Sequence, residues 1–109
     1  MSDKFTIKPG AGIHVVRAGG AVIAESNAVL VLEEPGYDPV VYFPRDDVGM
    51  AFLDPSDTRT TCPHKGEARY YDIVAKSGAI RDAGWSYEAP VAGAEPIAGH
   101  IAFGHERVT

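Results

Sequence analysis

The sequence predicts a mainly β protein, a small single-domain antiparallel β-sandwich or partly open barrel with at most one or two short helical turns. Three observations carry this prediction. Apolar residues come in short runs rich in Val, Ile, Phe and Tyr, the types that suit a pleated, half-buried surface. The runs are cut by Gly, Pro, Asp and Ser, which mark turns. No stretch reads as a long helix.

Taken in order, Ile13 to Arg17 reads as a strand, Gly19-Gly20 as a hairpin turn, and Ala21 to Glu25 as its partner. Two glycines tolerate the positive φ angles of a tight hairpin. Ala28 to Glu33 is a third strand, and Glu34 to Pro39 turns the chain into Val40 to Phe43, a fourth strand stopped by Pro44. Pro44 to Val48 suits a single helical turn, because Pro is tolerated at the first helical position and acids suit a helix N-terminus. Met50 to Leu53 reads as a short strand before a turn at Asp54-Pro55-Ser56-Asp57. Arg69 to Ala75, a Lys76-Ser77-Gly78 turn and Ala79 to Tyr87 form the next pair. A loop over Pro90 to Ala98 precedes a closing strand, Gly99 to Phe103.

The 109 residues fit one domain, spanning 1–109. Ten Lys and Arg against fifteen Asp and Glu give a net charge of −5, which argues against a general nucleic-acid binder, since such proteins usually carry a basic patch. The N-terminal ten residues lack the apolar run of a signal peptide, and no segment approaches the ~20 apolar residues of a membrane span. One cysteine cannot form an internal disulfide, so a cytoplasmic location is expected.

That cysteine stands in Thr61-Cys62-Pro63-His64-Lys65-Gly66. A thiol acts as nucleophile only as thiolate, which nearby cations favour; His64 and Lys65 are close enough in sequence to serve. Free cysteine is also among the most buried residue types, and on spacing alone Cys62 reads first as a small apolar residue ending a strand. Gly66 can supply a turn conformation or let a ligand approach the backbone, and Lys65 is a point charge for phosphate or carboxylate, or a solvated turn lysine. Period-two alternation puts Trp85 and Tyr87 on one face, and Tyr70 with Asp72 on one face of the preceding strand. If the faces coincide, they make an aromatic wall flanked by Asp, Lys and Arg that suits a flat polar ligand; otherwise they fill a small core.

A metal centre is not indicated. His100 and His105 are five apart and would face opposite sides of one strand, and a single cysteine cannot build Cys₄ or Cys₂His₂ zinc spacing. Gly10-Ala11-Gly12 precedes a strand and lacks the third glycine of a dinucleotide fingerprint. No cofactor is expected.

Four ordered motifs, Tyr42-Phe43-Pro44-Arg45-Asp46-Asp47-Val48, Thr61 to Ala68, Ala83-Gly84-Trp85-Ser86-Tyr87 and Ile97 to Phe103, closely resemble the domain-of-unknown-function 427 family. The resemblance runs from about Val22 to Val108. It implies a β-tent type of domain, an arrangement shared with methionine sulfoxide reductase B and the thalidomide-binding domain of cereblon, which hold a structural zinc on paired Cys-x-x-Cys knuckles. With one cysteine, this chain should lack that zinc. The resemblance marks Arg45, Asp47, Cys62, Lys65, Gly66, Tyr70 or Tyr71, Trp85 and His100. His64, Gly84 and Gly104 depart from the family's larger or aromatic residues, which alters the shape of any pocket. The family's nucleotidyltransferase-like label finds no support, because Asp46 and Asp47 are adjacent, and Asp54 and Asp57 fall in an expected turn with no Gly-Ser before them.

Three functions are open at this level. In the first, the domain binds a small polar or anionic molecule near the Cys-Pro-His-Lys-Gly turn, with Tyr70 and Trp85 as wall, Arg45 and Lys65 holding an anionic group, and Asp47 and Gly66 contributing. In the second, Cys62 is a nucleophile activated by Lys65 or His64, with His100 as general acid or base. In the third, a strand edge pairs with a protein partner. A monomer or homodimer, with no membrane and no nucleic-acid partner, is expected in each.

Overall fold

The computed structural model describes residues 5–76 and 78–104. Nine strands form: β1 (Thr6–Pro9), β2 (His14–Ala18), β3 (Ala21–Ser26), β4 (Leu30–Glu33), β5 (Val40–Phe43), β6 (Leu53–Cys62), β7 (Gly66–Ala75), β8 (Gly78–Tyr87) and β9 (Ile101–Phe103). Seven make one antiparallel sheet in the order β1-β4-β5-β9-β8-β7-β6, and β2 with β3 makes a separate hairpin. The sheet does not close into a barrel, so β1 and β6 are its two edges.

The core lies on both faces of the large sheet because side chains alternate along each strand. Phe43, Ile101 and Phe103 point to one face, where Val16, Ala18, Ile23 and Ala24 of the β2–β3 hairpin cover them. Tyr42 and Ala102, one residue along, point to the other face with Leu32, Ala68 and Tyr87, and there the loop residues Ala94 and Ile97 complete the packing. The hairpin turns at Gly19-Gly20 with φ of +57° and +81°, as its two glycines predict.

Several boundaries differ from the sequence reading. β1 was not expected; its residues are mostly exposed, and pairing with β4 holds it in register. Met50–Phe52 is a 3-10 turn rather than a strand, and the strand proper starts at Leu53. With Arg45–Asp47, which follows Pro44, and Glu95–Ile97, it brings the short helical turns to three. Asp54 to Asp57 is not a turn but part of β6. An edge strand tolerates Pro55, and an irregularity between Pro55 and Arg59 absorbs it. The irregular segment is pinned from β8: Ser56 Oγ and Thr58 Oγ1 each donate to the Asp82 carboxylate at 2.7 Å. The Lys76-Ser77-Gly78 turn falls in part on Ser77, outside the described residues.

Candidate functional site

The antiparallel register aligns Leu30, Tyr42, Ala102, Trp85 and Tyr70 in one row across β4, β5, β9, β8 and β7. Residues paired in this way share a face. Tyr70 and Trp85 are neighbours with ring centroids 6.2 Å apart and planes tilted by 41°, and Tyr70 Oη lies 3.0 Å from Thr60 Oγ1. Between Trp85 and Tyr42 stands the small, fully buried Ala102. Burial pushes the Tyr42 phenol up to about 12, against a smaller lowering by the hydrogen-bonding Trp85 indole. Tyr87 is raised in the same way, first by burial and then by Tyr42.

The Cys62–Lys65 segment forms one rim. The Lys65 N–H donates to the Cys62 carbonyl at 3.2 Å, closing a β-turn with Pro63 in its second position, where a fixed φ is favoured. Gly66 follows with φ +117°. Glycine is needed there for the backbone angle; a Cβ would only come into van der Waals contact with the 89–91 loop, 3.4 Å from Ala89 O and Pro90 Cα. The Val91 N–H donates to Lys65 O at 2.9 Å and fastens that loop to the turn.

A cavity of about 570 Å³ opens between the aromatic row and this turn. Leu32, Val40, Tyr42, Tyr70, Trp85 and Tyr87 supply its sheet side. Cys62, Pro63, His64 and Lys65 come from the turn, and Glu34, Tyr37 and Asp38 from the β4–β5 loop. Lys65 Nζ lies 3.1 Å from Glu34 Oε1, the two side chains being 12% and 17% exposed, and 5.8 Å from the centroid of the Phe5 ring. Its charge is therefore already paired.

Of the residues expected to form a site, Cys62, Lys65, Tyr70 and Trp85 meet in this cavity, and Gly66 shapes its turn. Arg45, Asp47 and His100 do not line it. Arg45 Nε donates to Gly99 O at 3.0 Å, and Arg45 Nη2 is bound to the Glu88 carboxylate, which also accepts from the buried Ser86 hydroxyl. Asp47 Oδ2 accepts from Ser26 Oγ at 2.6 Å, joining a 3-10 turn to β3. His100 Nδ1 lies 3.2 Å from Ala98 O. Asp72 does not line the cavity either: where the β7–β8 register shifts between Tyr71 and Ile73, its carboxylate accepts from the Asp82 N–H and pairs with Arg81.

Sequence reasoning missed Tyr42, Glu34 and Asp38 as cavity residues, and had Tyr87 only as part of an aromatic wall beside Trp85. Alternation in Val40-Val41-Tyr42 could have placed Tyr42 on a definite face, and Tyr87 two residues beyond Trp85 was placed beside it. Neither pattern says which strands adjoin. Glu34 and Asp38 sit in a loop with no periodic signal.

Among the described residues no three of His, Cys, Asp and Glu are grouped so that they could hold a metal ion; His105 lies outside those residues. No helix among them is long and apolar enough to cross a membrane.

Fold and site together define a mainly β domain, an open antiparallel sheet carrying an aromatic cavity on one face. The chain belongs to the family described as a domain of unknown function (DUF427), whose model matches residues 7–109 and so takes in β2 and most of β1. Among curated proteins no sequence matches the chain.

Proposed function

We propose that this protein is a small-molecule-binding domain whose site is the cavity between the aromatic row and the Cys62–Lys65 turn, and that its ligand is small and polar. The cavity itself carries the reading. At about 570 Å³ it falls within the ~300–1,000 Å³ of ordinary ligand sites, which are apolar and aromatic with a few aimed polar groups. Catalysis through Cys62 is less well supported, because Lys65 is engaged by Glu34 and His100 lies outside the lining.

A metabolite screen by thermal shift tests the reading, with Trp85 emission and the alkylation rate of Cys62 as two local reporters. A ligand of the cavity raises the melting temperature, changes the emission of the single tryptophan and slows alkylation. All three effects vanish in the cavity-filling variant Val40→Phe. Ligands that bind Val40→Phe unchanged and leave Cys62 unprotected would place the site elsewhere.

A further inference from the structure

The charges around the cavity are opposite in balance to those an anion would need. Glu34, Asp38 and Lys65 are the lining residues with a fixed charge near neutral pH, and Lys65 is matched by Glu34 in a pair largely withdrawn from water. Among the described residues no hydrogen bond or ion pair reaches Asp38, so one carboxylate remains uncompensated at the mouth. Arg45, the other cation the sequence offered, is bound to Glu88 and Gly99 O outside the cavity.

The walls point in the same direction. Tyr42, Tyr70, Trp85 and Tyr87 present aromatic rings on one face of the sheet. The negative π face of such rings attracts a cation, Trp most strongly, and the attraction grows when water is excluded. An anion entering here would gain no such attraction and would meet the Asp38 carboxylate, with the lysine already neutralised.

We propose that the cavity takes an organic cation, an alkylated ammonium group seated against Trp85 and its neighbouring tyrosines with Asp38 as the counter-charge. The proposal rests on the cavity being the ligand site. It adds the ligand's charge class.

Three probes of one shape and different charge test it by titration of Trp85 emission at a single pH and ionic strength. They are choline, the neutral alcohol in which a carbon replaces its nitrogen, and the carboxylate of the same tert-butyl skeleton. Choline should give a saturable change lost in Val40→Phe. The neutral isostere should bind about tenfold more weakly, the size of one good cation–π contact, and the carboxylate should give no saturable change. Asp38→Asn should weaken choline about threefold or more and leave the neutral isostere unaffected.

Equal binding of choline and its neutral isostere, or preference for the carboxylate, would overturn the cation assignment and leave the cavity as a ligand site. No saturable response to choline would also overturn it; whether the site itself then survives is decided by the screen with Val40→Phe. A choline response that persists in Val40→Phe would overturn the assignment by placing the cation elsewhere.

Discussion

Lys65 Nζ and Glu34 Oε1 lie 3.1 Å apart with both side chains mostly withdrawn from solvent, joining the β6–β7 turn to the β4–β5 loop over the cavity. Removing one partner of such a pair leaves the other charge poorly compensated. Glu34→Gln should therefore destabilise the fold by about 1–3 kcal/mol, below the range for fully buried pairs because some solvent contact remains. Adding Lys65→Met should recover much of that loss, since the stranded charge goes with it. Urea denaturation of the two single variants and the double variant measures the coupling. Losses that simply add would mean that the pair contributes nothing as a pair.

Asp82 is the one described non-glycine residue with a positive φ, +51°, and its carboxylate accepts from Ser56 Oγ and Thr58 Oγ1. Asp and Asn visit this backbone region more readily than Ala. Asp82→Ala should cost about 2–3 kcal/mol through the lost charge-assisted bonds and the strained backbone, and Asp82→Asn distinctly less. Amide hydrogen exchange should show the loss first in residues 55–59, the irregular part of β6. Equal stabilities for the Ala and Asn variants would contradict the backbone part of this account.

Tyr42 and Tyr87 link stability to alkaline pH. Burial raises Tyr42 from an ordinary 10.0 to about 12 and raises Tyr87 as well, so each native phenol keeps its proton longer than in the unfolded chain. Below pH ~10 neither group makes stability depend on pH. Between pH ~10 and ~12 the unfolded chain binds fewer protons, and stability should fall by up to about 1.4 kcal/mol per pH unit for each group. Denaturation midpoints across that range, with phenolate absorbance followed in parallel, measure the effect. Tyr42→Phe should make the slope shallower; an unchanged slope would mean that Tyr42 does not control it.

The strand pattern was largely legible. Gly19-Gly20 named its hairpin because few other sequences accept two positive φ angles in succession, and Val40 to Phe43 stood alone as an apolar run between prolines. β1 was not legible, since Thr6–Pro9 offers little apolar patterning and becomes a strand by pairing with β4. Asp54 to Asp57 misled for the opposite reason. Its residues have turn propensities, and hydrogen bonds from a strand distant in sequence override them.

The site was half legible. Cys62, Lys65, Tyr70 and Trp85 could be singled out by type and by motif, and alternation correctly put Trp85 beside Tyr87. Arg45 and Asp47 were equally prominent in sequence. The fold uses them to bind Glu88, Gly99 O and Ser26 away from the cavity.

By itself the sequence determined what is local: an acidic, mainly β chain with glycines where the backbone must turn, and a Pro-Gly turn carrying its one cysteine. Each of these follows from residue type and near-neighbour spacing. Tertiary structure alone decided that Tyr42, from β5, stands in one row with Trp85 and Tyr70, and that Glu34 neutralises Lys65. Strand order and register set those meetings, and they depend on which faces bury together across long separations in the chain.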